Sequence, residues 1–431
     1  MNDQHNRIVI TGVGIISPIG IGKTDFWNNA CAGNHGITDL EFSPDKNGTP
    51  FLGGIIDEFV AKNYISKRKL LKIMSRSMQL AAGATAIAVE DSGIELDSFD
   101  PQRLGISIGT GMIHTSVTEL GEPIYTTKEE LGFNLSNFAA IAMDQLFPLW
   151  LLKQLPNLVA SHISILFNAQ GASNTLTSGA GAAIQAIEEA VYNIQNGICD
   201  MYICGGADHR THPLDMIKYQ LLDFLPDQSP DIHDMFRPYD KHRQGFIPGE
   251  AAAIFTIESL EHAKKRGAHI YAEIRGCGSA AGVSYRDKDI DKRTYIESLA
   301  IEQCIKNTNG SVDSIDYICG HGCGDILGDS VEIMAYKKAL GTSAESIPIS
   351  SPSSMVGYIG AATGAINTAC ALFAMQDSVI PPTLFLQDPD PQCAFNHVTG
   401  STREQTVNTA LINSFDFYGQ GATMIISKYE Q

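Results

Sequence analysis

Two stretches of this chain gather residues able to do chemistry. One is the turn Gly171-Ala172-Ser173-Asn174-Thr175-Leu176-Thr177-Ser178-Gly179, followed by the small-residue run Ala180-Gly181-Ala182-Ala183. A strand-like run, Ile163 to Phe167, leads into it, and Ile184, Ile187, Ala190 and Val191 then recur on one helical face. A hydroxyl-rich turn at a helix N-terminus suits a nucleophile, because the helix dipole and free N–H groups stabilise negative charge. Yet its centre is Leu176, which can neither ionise nor attack.

The second stretch is His321-Gly322-Cys323-Gly324-Asp325, continuing through Asp329 to Glu332. A histidine flanked by glycines can approach a substrate closely and hydrogen-bond to it. Asp329 and Glu332, three apart, share one face at the start of the following helix and suit its positive end. A buried histidine with helix-capping carboxylates gives the same pattern, so the stretch alone does not decide. Two further segments join it. Ser350 to Gly364, with Ser353 and Tyr358, reads as an active-site loop or as tight helix packing. Asn413-Ser414-Phe415-Asp416-Phe417-Tyr418-Gly419 reads as an aromatic loop between strands that gates a pocket or fills core.

The elements that position these stretches follow from patterning. Arg7 to Gly14 reads as a buried strand ending in a glycine turn. Gly12 and Gly14 resemble part of a dinucleotide fingerprint, but Ser17 holds the third glycine position and no helix follows directly. Lys67 to Asp91 is helical, Leu104 to Ile108 a strand, and 112–165 an irregular insertion containing Trp150. Strands at Met201 to Cys204 and Ala251 to Ile257 complete the first half. The same order returns with strand Ile270 to Ile274, helix Thr294 to Lys306, strand Tyr317 to Cys319, helix Gly360 to Ala374, and strands Thr406 to Ile412 and Ala422 to Ser427. This recurrence predicts an internal duplication of a β/α unit, with parallel central strands covered by helices.

Composition sets the bounds. The 431 residues, 44% hydrophobic and 18% charged, suffice for a large core in two fused halves. A net charge of −18 argues against sequence-independent binding to nucleic acid or anionic lipid. Lys67-Arg68-Lys69 and Lys264-Lys265-Arg266 are small basic patches that suit an acidic partner or a solvated helix face. Nine cysteines without metal-type spacing fit a reduced, cytoplasmic protein with structural thiols and no metal. Met1 to Arg7 lacks the apolar core of a signal peptide, and the apolar runs are too short to span a bilayer.

Taken together, the motifs resemble the β-ketoacyl-acyl-carrier-protein synthases of fatty acid and polyketide synthesis over essentially the whole chain. Val9 to Gly14 is similar to that family's first strand. Arg237-Pro238-Tyr239-Asp240, Arg243, Gly245-Phe246 and Gly249-Glu250 match its pattern R-P-[FY]-D-x-x-R-x-G-F-x-x-G-E. His321 to Glu332 resembles H-G-T-G-T-x-x-G-D-x-x-E, the loop ending Gly357-Tyr358 resembles K-S-x-x-G-H, and Asn413-Ser414-Phe415 opens N-S-F-G-F-G-G. The resemblance implies a thiolase-like α/β fold: two duplicated βαβαβαββ halves in five α-β-α-β-α layers. The halves are expected at 1–258, with a cap insertion at about 112–165, and at 259–431.

The departures carry the functional expectation. The family's enzymes accept the acyl chain on a cysteine within T-A-C-[TS]-[SG], and two histidines assist decarboxylation of the extender. Aligning Thr177-Ser178-Gly179 puts Leu176 at the cysteine. His321 retains the first histidine, Tyr358 replaces the second, and Ser353 replaces the lysine. Asp416 and Tyr418 replace two glycines of the gating loop, whose other members here are Phe417 and Gly419, and should stiffen it. A tyrosine, with its phenol pKa of about 10, is a poor proton shuttle at neutral pH. Ser173, Thr175, Thr177 and Cys323 offer replacement nucleophiles only if His321 activates them.

This pattern of loss resembles chain-length factors, the ketosynthase β subunits of type II polyketide synthases. Such a subunit is expected to need no cofactor. It would pair with a catalytic ketosynthase and act on chains carried by an acyl carrier protein. The strand before the turn would put Ser161 to Gln170 against the partner, and residues near 112 to 150 would line the pocket. Many chain-length factors carry glutamine at the cysteine position, and Leu176 cannot supply that amide, so priming by decarboxylation is not expected. Two other readings stay open: a catalytic acyltransferase with a non-standard site, and an acyl-binding homodimeric scaffold.

Overall fold

The computed structural model describes residues 7–40, 50–129, 132–227, 229, 231–282, 287–308, 315–341 and 344–430. Ten strands organise it. The first five are β1 (Ile8–Ser17), β2 (Leu104–Gly109), β3 (Ser173–Leu176), β4 (Met201–His209) and β5 (Glu250–Ser259). The second five are β6 (Ala272–Ala281), β7 (Tyr317–Cys319), β8 (Pro348–Ser350), β9 (Thr409–Phe415) and β10 (Gln420–Ser427). Their order across the sheet is β8-β7-β9-β10-β6-β1-β5-β4-β2-β3. Reading outward from the centre, β1-β5-β4-β2-β3 is repeated by β6-β10-β9-β7-β8. Each strand of the first half therefore has its counterpart five strands later, and the expected duplication is visible as topology.

The central strands are not parallel, as the β/α recurrence suggests they should be. Only β3-β2-β4 and β8-β7-β9 run parallel within their groups. The central β1, β5, β6 and β10 pair antiparallel, because each half ends in a strand that returns directly beside its neighbour. A short pairing of Ile8 to Ile10 with Ala272 to Ile274 joins the halves into one twelve-stranded sheet, counting two short additions.

Helices fill three layers around these strands. Outside the first half lie α1 (Arg76–Ser92) and a helix at Leu158–Phe167; outside the second lie α6 (Ile290–Asn307) and α7 (Ile326–Leu340). The insertion contributes α2 (Val117–Thr126) and α3 (Leu135–Gln145), with the Leu158–Phe167 helix being α4. Between the halves run α5 (Ala182–Gln195) and α8 (Thr363–Asp377). Thr363 to Met375 is buried throughout, as a helix apolar all round requires when covered on every side. Helix α5 turns the expected face inward, burying Ile184, Ile187 and Ala190, with Val191 only partly buried against the same core.

Four sequence expectations change here. Ile163 to Phe167 is helical, the last turns of α4, and the strand leading into the turn is β3 instead. The insertion is largely helical rather than irregular. Strand β1 runs straight through Gly12 and Gly14 to Ser17. These glycines are there for helix packing: a Cβ on Gly14 would sit 1.9 Å from the Ala84 carbonyl oxygen of α1. Helix α1 itself begins only at Arg76, capped by Ser75, after a 3-10 segment at Arg68–Ile73.

Candidate functional site

The site lies where the ends of β3, β7 and β9 meet the N-termini of the two central helices. Its best-braced part is the turn after β7. The Glu332 carboxylate accepts five hydrogen bonds: from the N–H groups of His321 (2.7 Å) and Gly322 (3.0 Å), the hydroxyls of Tyr239 (2.8 Å) and Tyr336 (2.6 Å), and Asn413 Nδ2 (3.2 Å). Asp329 accepts from the N–H groups of Tyr239 (2.7 Å) and Gly324 (3.2 Å), and burial pushes its carboxyl up to about 7 despite Arg243 nearby. Both carboxylates are thus structural braces for the turn that carries His321.

The loop from Arg237 to Glu250 explains why so long a motif is needed. Tyr239 adopts a left-handed φ of 65° so that its N–H and hydroxyl reach the two carboxylates at once. Arg243 donates to the Ile326 carbonyl, the Ser330 hydroxyl and Asp390. Further along, Tyr358 N–H donates to the Ile247 carbonyl (2.7 Å) and Gly249 N–H to the Tyr358 carbonyl (2.8 Å). One loop therefore fixes His321 and Tyr358 together.

His321 and Tyr358 do meet, edge to face, with ring centroids 6.0 Å apart. Burial lowers the histidine's pKa, and its Nδ1 is buried without a hydrogen-bond partner. Burial also holds the Tyr358 phenol well above its ordinary value, which removes it further from proton shuttling near neutrality. Ser353 offers no cation to the site. Its hydroxyl donates to the His321 carbonyl (2.8 Å), and Ser351 does the same (2.8 Å). Cys323 is buried nearby, and desolvation holds its thiol well above the usual range, so it stays protonated.

Leu176 is not at the apex of the turn. It ends β3 opposite Gly109, its carbonyl accepts the Thr110 N–H (2.9 Å), and its half-buried side chain is not part of the cluster around Tyr358. The strand persists through the expected centre because β2 continues to pair with it. The bend comes three residues later, where Gly179 takes a φ of 61° and a short 3-10 turn, Gly179–Gly181, opens α5. Ala180 is the buried residue at this bend, packed in one cluster with Tyr358, Cys323 and Phe417. Reasoning from the sequence missed it; the signal was the Gly-Ala-Gly run, whose glycines leave room for Asp416 and Gly421 to pack against the bend.

The aromatic loop closes the site from above. Phe417 packs on Phe224 with ring centroids 4.2 Å apart, stacks with Phe246 and packs against Tyr358. Tyr418 is partly exposed, Gly419 takes a φ of 78°, and Asp416 is fully enclosed. The Asp416 side chain accepts from Ala180 N–H (3.1 Å) on the bend and from Tyr418 N–H (2.8 Å) in its own turn. Arg293 of α6 donates to the Phe417 carbonyl (3.1 Å). Beneath the loop, a cavity of about 20 Å³ beside His321 and Cys323 leaves room for about one water.

Comparison with known proteins decides the family. The model described as Beta-ketoacyl synthase, N-terminal domain matches residues 5–263, and Beta-ketoacyl synthase, C-terminal domain matches 271–387. The chain belongs to the β-ketoacyl synthase family. It is 30% identical to 3-oxoacyl-acyl-carrier-protein synthase 2 of a Synechocystis species over 430 residues, covering 100% of both chains. It is 29% identical to the tetracenomycin polyketide synthase ketoacyl synthase alpha subunit of Streptomyces glaucescens, covering 98% of this chain and 97% of that one. Among solved structures, the ishigamide ketosynthase/chain length factor aligns with a TM-score of 0.85 at 25% identity, over 98% of this chain and 99% of the other.

The thiolase-like fold expected from the motifs is therefore the fold of this β-ketoacyl synthase relative, and its kinship lies with fatty acid and type II polyketide ketosynthases. Among the described residues, no helix is long and apolar enough to cross a membrane and no group of three metal-ligating side chains assembles.

Proposed function

We propose that this β-ketoacyl synthase relative is a non-catalytic, chain-length-factor subunit that pairs with an active ketosynthase and shapes the space for its carrier-bound acyl chain. One observation carries the reading: the bend at the start of α5 presents Ala180, not a nucleophile, to the cluster that holds Tyr358, the ring against which His321 packs. On this reading Ala180, rather than Leu176, stands where the family's enzymes hold their acyl-accepting cysteine. The conclusion drawn from Leu176 survives with a different residue, since alanine is equally unreactive. The nearest thiol, Cys323, is held protonated, which counts against a substitute nucleophile. The two halves are proposed to divide at residues 258 and 259.

The partner's place is proposed along β3. It is the free edge of the sheet, and Ser173 and Asn174 are exposed. Thr175 N–H is held by the neighbouring Asn174 side chain (2.9 Å), as at an edge awaiting another strand. The insertion adds exposed apolar side chains, including Met112, Tyr125, Leu135 and Leu151. This replaces the expectation that Ser161 to Gln170 form the contact, because α4 rather than a strand occupies most of that span. A cleft of about 450 Å³ between α1 and the insertion, lined by Met74, Met112, Ile113, Val117 and His212 among others, is the proposed chain pocket.

Co-expression with a ketosynthase from the same source that has intact Cys-His-His, plus its carrier protein, tests the reading. The expected result is a stable one-to-one pair in which intact mass finds the acyl adduct on the partner alone. Thr175→Pro should abolish the pair while shifting the melting temperature of the isolated chain by no more than a few degrees. An acyl adduct on this chain would establish the catalytic alternative, and a self-pair that ignores the ketosynthase would establish the scaffold.

A further inference from the structure

We infer that the Asp416 side chain is a built-in acceptor that occupies the bend's N–H donor and latches the 416–419 loop over it. A helix N-terminus of this kind offers its free N–H groups to a developing negative charge, as an oxyanion site does. Here Ala180 N–H already donates to Asp416 Oδ2 at 3.1 Å, within the same bend that packs with Tyr358, Cys323 and Phe417. The chain thereby supplies its own side-chain oxygen where a thioester oxygen would need a donor.

The fit is too close to be incidental. A Cβ on Gly179 would lie 1.6 Å from Asp416 Oδ2, so the bend tolerates the carboxylate only because residue 179 has no side chain. The other carboxylate oxygen accepts Tyr418 N–H, which ties the loop to itself as well as to the bend. Ser414 of β9 adds a second link by donating to the Ala180 carbonyl at 2.6 Å. Arg293 holds the Phe417 carbonyl from the far side. Bend, loop and α6 are thus connected through hydrogen bonds, with room below for about one water. The latch concerns the closed state of this chain and stands whether or not it pairs with a ketosynthase.

Amide hydrogen exchange on the peptide spanning Ala180 tests the latch directly. Asp416→Ala is expected to speed exchange there at least tenfold, whereas Asp416→Asn, which keeps an acceptor oxygen, should stay within about twofold of the parent. Unchanged exchange in the alanine variant, or an equal rise in both, would overturn the inference. Asp416→Ser, too short to reach Ala180 but polar, repeats the measurement should the alanine chain not fold. A second arm uses Ala180→Cys and hexanoyl-pantetheine, read by intact mass. Acylation is expected at least tenfold faster in Ala180→Cys/Asp416→Ala than in Ala180→Cys; equal rates would overturn the latch without touching the pairing proposal.

Discussion

The two walls of the site differ in what holds them. On the His321 wall, a long loop, two carboxylates and two buried tyrosines converge on one turn, and nearly every polar group is matched. On the wall at Ala180, the bend is held by a few contacts to one loop, chiefly Asp416 and Ser414. The first wall is bound into the core of the second half by buried hydrogen bonds that a substitution leaves unmatched. The second is local, so a substitution there can leave the surrounding architecture in place. What resembles an active site is therefore two structures with separate constraints, and the His321 wall carries more of the stability.

The largest effect should come from breaking the braced wall. Glu332→Ala leaves two tyrosine hydroxyls and two backbone N–H groups buried without their acceptor. The expected loss is on the order of 4 kcal/mol, since buried donors stripped of a charged partner bear the full desolvation cost. Urea unfolding measures it. A loss no larger than that of a surface substitution would mean the two walls do not differ as argued.

The opposite wall should yield less, and its loss should be repairable. Gly179→Ala forces a side chain into the left-handed region and against Asp416, an expected cost of about 2 kcal/mol. Adding Asp416→Gly removes the clash but not the backbone strain. A double-mutant cycle by urea unfolding should therefore show positive coupling of roughly 1 kcal/mol. Strict additivity would show that the carboxylate does not press on the bend.

Legibility in the sequence follows the same division. The motifs around His321, Asp329 and Glu332 were readable because their bonds run between residues close in sequence or fixed by a long pattern. The duplication was readable because buried strands repeat in order. The bend was misplaced because its position is set by tertiary pairing: β2 holds Leu176 in the strand, and no local pattern states where that pairing stops. For the same reason Ile163 to Phe167, apolar and partly β-branched, passed for a strand when a helix packed beside α1 claims it. Asp416 was legible as a substituted glycine and a stiffened loop, but its reach to Ala180, 236 residues away in the chain, was not.

The smallest expected effect separates the walls by pH. Burial pushes the Asp416 carboxyl up to about 7 from 3.8, while three backbone N–H groups and Arg293 pull the other way. Because the folded pKa is raised, the native chain holds a proton that the unfolded chain has released between about pH 4 and 7. Stability from this group is complete below the lower value and is lost as pH rises through the upper one. Asp416→Asn cannot titrate, so melting curves from pH 5 to 7.5 should fall less steeply for it than for the parent, by up to about 1 kcal/mol per pH unit. The remaining slope belongs to Asp329 and other buried carboxyls on the His321 wall, which the substitution leaves in place. Parallel curves would mean that Asp416 is ionised throughout this range, its N–H donors outweighing burial, and the bend would then carry a full negative charge under all the conditions in which it folds.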